Sequence, residues 1–295
     1  MIVVNLKGGL GNQMFQYAFG LSLAHKYGSD LKLDLRLLRN KTLRKGIVLR
    51  NYDLDIFSIP ATQATAEDFG GIGLGIENLY LQRLWLRIYG HIPGQSRVLR
   101  ERRYSFDERN LNVGGNVYID GYWQSEKYFK DIETLVRERF VVIVPLAPGA
   151  DKLLRRITSE ESVCVNIRRG DFVNHSLHKS LETEYYERAV VELTKRIGSS
   201  YRLFVFSDDE EWCRENLRLG TGQEIVGNEF AGPKFSTKFS LMSACKHFII
   251  PNSTFAWWAA WLAKNENKVV IGPKRWFDDP KRDTSDVLPE SWVKV

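Results

Sequence analysis

The chain has no long apolar run, little cysteine, few prolines and no repeated or low-complexity tract, and each shortage removes a class of protein. Its most apolar stretch, Phe255–Ala263, falls well short of the ~20 residues that a membrane-spanning helix needs. The three cysteines, Cys164, Cys213 and Cys245, are too scattered for a disulfide framework and lack the paired spacing of a zinc site, so they read as buried thiols of a reducing compartment. The five histidines show no ligand spacing either, and no metal site is expected. With 9 prolines, 43% hydrophobic and 26% charged residues, neither a disordered nor a fibrous chain fits. Charge of one sign is also scarce: 42 Lys+Arg against 36 Asp+Glu leave +6, which suits the handling of anions but is too dispersed to argue for nucleic acid. The opening Met1–Gly9 lacks a basic segment and runs into a glycine turn, so it reads as a strand rather than a secretory signal.

What is present is an alternation of strands and helices. At 295 residues the chain should hold about two domains, at roughly 100–200 residues each, or one large one. Ile2–Leu6 reads as a strand, Gly8-Gly9-Leu10-Gly11 as a turn, and the apolar positions Phe15, Ala18, Phe19 and Leu23 as a helix face. Leu31–Leu35 and Asn116–Asp120 read as strands and Glu126–Phe140 as an amphipathic helix, whereas the segment up to about Arg97 shows no clear elements. Pro145-Leu146-Ala147-Pro148-Gly149-Ala150 marks a boundary, giving an N-terminal α/β domain over 1–147 and a second over 148–295, with Asp151 capping the first helix beyond it. From there strands at Val163–Ile167, Leu203–Phe206, Glu224–Val226, Phe248–Ile250 and Lys268–Ile271 alternate with helices at Glu182–Arg196, Glu210–Leu217, Lys238–Cys245 and Phe255–Lys264. Such alternation predicts a doubly wound parallel sheet, whose ligands bind at the carboxyl ends of the strands.

Three polar clusters fall at those ends. Arg168-Arg169-Gly170-Asp171 follows a buried-looking strand, where a guanidinium fork can hold phosphate oxygens; the plainer reading is a surface ion pair with Asp171. Ser207-Asp208-Asp209 can cap a helix, hold a metal or bind a nucleotide, and capping by at least one of them is expected. Asn252-Ser253-Thr254 brings hydroxyls and backbone N–H groups to a helix start, where phosphates sit and where capping is again the simple use. The aromatic run Phe255, Trp257, Trp258 and Trp261 reads as core rather than as a sugar platform. The glycine turn invites a dinucleotide fingerprint, but Met14 stands where its third glycine belongs.

Several longer motifs, in order along the chain, resemble the bacterial α-1,2-fucosyltransferases of glycosyltransferase family eleven. They are Gly8-Gly9-Leu10-Gly11-Asn12-Gln13-Met14-Phe15-Gln16-Tyr17-Ala18, Gly121-Tyr122-Trp123-Gln124-Ser125-Glu126, Asn166-Ile167-Arg168-Arg169-Gly170-Asp171-Phe172, Leu241-Met242-Ser243-Ala244-Cys245-Lys246-His247 and Asn252-Ser253-Thr254-Phe255-Ala256-Trp257-Trp258. The resemblance implies a B-type glycosyltransferase fold, two Rossmann-like α/β domains facing a cleft, with an acceptor-side N-terminal domain and a donor-nucleotide-binding C-terminal one. It implies an inverting, metal-independent transfer of L-fucose from GDP-β-L-fucose to the 2-hydroxyl of a terminal galactoside on a surface glycan or oligosaccharide. The protein would need no cofactor, bind no nucleic acid and act in the cytoplasm, with at most peripheral contact at the inner membrane surface. Carried over by position, the donor site comprises Gly9, Gly11, Asn12, Gln13, Asn166, Arg168, Arg169, Asp208, Asp209, Ser253 and Thr254, with Arg168 on the β-phosphate and Asp171 bracing its loop or contacting the nucleotide. The family usually has His at Asn166, and a carboxylate about where Lys238 stands, which bears on guanine recognition.

Transfer with inversion also needs a base for the acceptor proton. His178, Asp171 and His175 lie on one loop; imidazole titrates near neutral pH, the resemblance implies a histidine about where His178 lies, which favours it, and Glu126 is the reserve. The rivals are an NAD-type oxidoreductase, an inactive nucleotide-sugar-binding protein and a metal-dependent transferase using Asp208 and Asp209.

Overall fold

The structure, a computed structural model, describes residues 1–39, 50–60, 62–71, 98–170, 181–220, 222–279 and 282–295. The chain forms two compact units, Met1–Val141 and Val142–Val295. The stretch at 145–150, which suggests a boundary at 147/148, thus lies just inside the second unit.

In the first unit β1 (Ile2–Asn5), α1 (Leu10–Tyr27), β2 (Leu31–Asp34), α2 (Arg36–Arg39), β3 (Thr62–Gln63), α3 (Ala66–Gly71), β4 (Val98–Arg100), β5 (Val117–Asp120) and α4 (Glu133–Arg139) follow in order. The strands form a parallel sheet ordered β3-β2-β1-β5-β4. A central parallel strand is covered on both faces, which is why Ile2, Val3 and Val4 are apolar without alternation and fully buried. Gly8 turns the chain from β1 into α1 at φ +79, where a side chain would also collide with Asn12. The helix expected over 126–140 is broken. Glu126–Tyr128 and Lys130–Ile132 are short 3₁₀ turns, and only Glu133–Arg139 is α-helical. Phe129 leaves the helical region at φ −141 and is fully buried, its ring 6.2 Å from that of Phe15. Burial of consecutive aromatics overrides the helical period that their spacing suggests.

The second unit runs α5 (Ala150–Ser159), β6 (Ser162–Ile167), α6 (Thr183–Ile197), β7 (Arg202–Ser207), α7 (Glu210–Asn216), β8 (Gln223–Val226), α8 (Ser236–Ser243), β9 (His247–Ile249), α9 (Thr254–Leu262), β10 (Val270–Gly272) and β11 (Val293–Lys294). Its parallel sheet is ordered β11-β10-β9-β6-β7-β8. Every element expected after residue 150 is present within a few residues of its bounds; β11 is additional. The α/β class with parallel sheets therefore holds in both units. Asp151 is not the cap of α5: left-handed Gly149 occupies that position, and Asp151 lies in the first turn, 2.7 Å from Arg155. Trp257, Trp258 and Trp261 are buried, and the Trp257 indole N–H donates to the Val287 carbonyl at 2.8 Å, so the run is core. All three cysteines are free and buried.

Candidate functional site

The middle of the second sheet assembles the polar clusters by register. Parallel pairing sets Ile167 of β6 opposite Ser207 of β7, so the next residues of the two strands, Arg168 and Asp208, emerge side by side. Arg168 Nη1 lies 2.8 Å from Asp208 Oδ2, and the Arg169 backbone N–H donates to Asp208 Oδ1 at 2.9 Å. Arg169 Nε is 3.4 Å from Asp209 Oδ2, and its guanidinium carbon stands 3.8 Å from the centre of the Trp212 ring. Each arginine is therefore matched with one aspartate from the neighbouring strand end; Asp171, the partner in the ion-pair reading, lies outside the described residues. A side chain on Gly170 would come within 2.7 Å of Asp208 Oδ2, so glycine is what allows this close approach.

Asp209 also caps α7, its Oδ1 accepting from the Trp212 N–H at 3.2 Å. The expected capping is thus real, but it accompanies arginine pairing. Among the described residues no group of three or more His, Cys, Asp or Glu is arranged to hold a metal ion. On the other side of β6, pairing of Val165 with Ile249 brings the end of β9 level with the arginines. Asn252 is buried there; its amide donates to Trp276 O at 3.3 Å and its Oδ1 has no protein partner. Ser253 occupies the N-cap position of α9, and Thr254 opens that helix. The Ser253 hydroxyl makes no capping bond, contrary to expectation, which leaves this helix start without a side-chain cap.

The other residues expected at the donor site fall at two places. The Asn166 amide donates to Phe206 O at 3.1 Å and ties β6 to β7. Gly9, Gly11, Asn12 and Gln13 lie at the first strand-to-helix turn of the first unit. Fully buried Gln13 donates to Gly8 O and Asn51 O and accepts from the Asp53 N–H at 3.0 Å, which makes it a clamp on the 51–53 segment. Asn12 Oδ1 accepts from Gln124 Nε2 at 2.8 Å. Gly9 is the N-cap of α1 and Gly11 is buried in that helix. Asp171, His175 and His178 lie outside the described residues. Glu126 begins a 3₁₀ turn of the first unit.

The roles of two residues of the cluster are not legible in the sequence, although Lys238 stands out there as a departure from the family's carboxylate. Lys238 of α8 is buried, and its Nζ donates to Ser207 O at 3.1 Å and Asn228 Oδ1 at 2.6 Å, with Glu210 Oε1 at 3.5 Å. Burial pushes its pKa down and Glu210 opposes that, so it acts as a tie between α8 and the end of β7. Trp212 supplies the face on which Arg169 lies; only its place in the first turn after the acidic pair hinted at this. Burial raises the thiol pKa of Cys164 and Cys213, so neither is an activated nucleophile. The assembled site offers forked cations held in place beside an uncapped helix start, an arrangement suited to a diphosphate.

Comparison with known sequences fits this chemistry. The profile of glycosyl transferase family 11 matches residues 95–295. The chain is 32% identical to an alpha-1,2-colitosyltransferase of Escherichia coli, covering 100% of this chain and 99% of that protein. It is 30% identical to the O-antigen biosynthesis glycosyltransferase WbnK of Escherichia coli, over 98% and 99% of the two chains. A galactoside 2-alpha-L-fucosyltransferase of Caenorhabditis elegans is 30% identical, over 100% of this chain and 79% of that one.

Proposed function

The chain belongs to glycosyl transferase family 11, and from that premise we propose that it transfers L-fucose from GDP-β-L-fucose to the 2-hydroxyl of a terminal galactoside, with inversion at the sugar carbon. The observation that carries the reading is the arginine pair held at the end of β6 by the acids of β7. As the bond from the sugar carbon to the phosphate oxygen breaks, negative charge grows on the departing diphosphate. Arg168, with two N–H groups of one planar fork, and the α9 start with Ser253 and Thr254 meet that charge. Arg169, pinned by Asp209 and Trp212, adds a second cation that needs little reorganisation. The acceptor oxygen bonds to the same carbon from the opposite face and passes its proton to a base, for which His178 is our choice and Asp171 and Glu126 the reserves. In this reading no bound metal is required, and the acidic pair orients arginines.

A second donor is favoured by one comparison: colitose, the 3-deoxy counterpart of fucose, is named in the 32% identical relative. No helix among the described residues is long and apolar enough to cross a membrane, and we place the reaction at the cytoplasmic side on a surface-glycan acceptor. The test is incubation of the purified chain with GDP-fucose or GDP-colitose and a panel of galactosides, with linkage read by NMR. Transfer to O2 of a terminal galactose with inverted configuration is expected; turnover with neither donor, or transfer to another hydroxyl, overturns the reading.

A further inference from the structure

The first unit carries a second charged crevice at the carboxyl edge of its own sheet. Strands β1, β5 and β4 are parallel neighbours, so the residues that follow them converge: Lys7 after β1, Glu101 after β4, and Gly121 and Tyr122 after β5. Pairing of Arg100 with Asp120 brings the two strand ends level. Together with Arg102, Arg103 and Tyr104 these residues line a cavity of about 210 Å³, the size of one sugar ring or a small charged group. Crevices outside the carboxyl ends of parallel strands are where such sheets take ligands.

The hydrogen-bonding capacity left in this crevice is one-sided. Asp120 accepts from Lys7 Nζ at 2.7 Å, Asn5 Nδ2 at 3.0 Å and Arg100 Nε at 3.3 Å. Glu101 receives the Tyr122 N–H at 2.7 Å on one oxygen and the Trp123 N–H at 2.8 Å on the other. That grip holds Trp123 in the left-handed region at φ +58, an uncommon conformation for a bulky residue and one that clusters at binding sites. Both carboxylates are therefore engaged by the protein itself. The cations keep donors to spare. Lys7 directs a single bond to Asp120 and lies 5.0 Å from the centre of the Tyr122 ring, and Arg100 makes its one side-chain hydrogen bond through Nε. Arg102 and Arg103 are exposed and make no hydrogen bond or ion pair with a described residue. Arg103 reaches Asp107 only through its field, and Asp107 is already paired with Arg109 at 2.7 Å. Four cations thus face two carboxylates that are already satisfied, and the unused groups are donors.

We propose that this crevice binds an oxyanion carried by the acceptor glycan, either a sugar carboxylate or a phosphate, with Arg102 and Arg103 as its principal contacts and Lys7 and Arg100 behind them. The assignment of the anion to the acceptor rests on the transferase reading above. Tyr122 and Tyr104 flank the cavity and supply ring faces of the kind that pack on saccharides. Glu101 and Asp120 are positioning residues: one shapes the Tyr122–Trp123 turn and the other spaces Lys7 from Arg100.

The experiment is a calorimetric titration of the full chain, without donor, against three glycans sharing a terminal galactose: a neutral disaccharide, its glucuronate counterpart, and the same disaccharide with a reducing-end phosphate. At least one charged glycan should bind on the order of tenfold more tightly than the neutral one, and which of them does so identifies the source of the anion. The preference should shrink in raised salt and collapse towards unity in the Arg102→Ala/Arg103→Ala variant, which should keep its fold because neither side chain contributes a described bond. Equal affinities for all three glycans, or a preference that survives in the variant, would overturn the proposal. Binding is read apart from transfer, so the two ideas fail separately. A chain that prefers the charged glycan but transfers nothing breaks the transferase reading. One that transfers without any preference breaks only this proposal.

Discussion

The carboxyl edges of the two sheets use the same residue types in opposite balance. In the second unit Arg168 and Arg169 are each matched with an aspartate from the next strand. In the first, Asp120 and Glu101 hold the turns and Lys7 together, while Arg102 and Arg103 extend beyond any described partner. A matched array is rigid before ligand arrives, at the cost that a bound phosphate must compete with Asp208 for Arg168. That suits charge appearing during a reaction. An unmatched array attracts charge already present in the ligand, which suits recognition and salt-sensitive encounter.

The largest effect that would sharpen this contrast is on the matched side. Arg168→Ala should lower kcat by about 10²–10³, as losing one preorganised charge donor does. Arg168→Lys should be nearly as damaging, because lysine keeps the charge but not the fork. The loss should fall on kcat more than on KM, with melting little changed. A lysine variant with most of its activity would show that the site needs charge alone and would shift the phosphate contact to Arg169. His178→Ala, on the same proposed machinery, should cost about 10²–10⁴ in kcat with donor affinity retained; normal turnover would move the base to Asp171 or Glu126.

Asp209 separates positioning from folding. Asp209→Ala loses the cap of α7, worth about 1 kcal/mol, and the tether of Arg169, and kcat should fall by up to about 10² through misplacement. Asp209→Ser keeps a capping oxygen and should recover the melting temperature but not the rate. Recovery of both would mean that Arg169 needs no acid to hold it.

On the unmatched side the readout is pH. Burial pushes the Asp120 carboxyl up, but Lys7, Asn5 and Arg100 outweigh it and hold it below the ordinary 3.8. A lowered folded pKa contributes stability that is present above 3.8 and is lost as pH falls through the folded value. Asp120→Asn should therefore be less stable than the parent by about 1–2 kcal/mol near neutrality, and the gap should close below pH ~4 in urea unfolding. A gap constant with pH would mean that the ion pairs contribute nothing. Glu101, raised above 4.5 by burial against the pull of two amides, has the opposite sign: its contribution is present below 4.5 and lost as pH rises. The smallest expected effect is none at all. Activity in excess EDTA should equal that with magnesium, since Asp208 and Asp209 are occupied by arginines; a large loss would return them to the role of metal ligands.

Sequence by itself determined the α/β class, the strand and helix order after residue 150, the burial of the tryptophans and cysteines, and the convergence of three polar clusters on one sheet edge. Those features rest on local apolar runs, periodicity and turn residues, and on the rule that parallel strands end together. Tertiary structure alone decided that Asp208 and Asp209 hold arginines, that Lys238 ties Ser207 to Asn228, that Gln13 clamps residues 51–53 and that the 126–140 segment breaks at Phe129. Each of these outcomes depends on strand register or on packing between segments tens of residues apart. A shift of one residue in the pairing of Ile167 with Ser207 would separate Arg168 from Asp208, and nothing within either strand encodes that alignment.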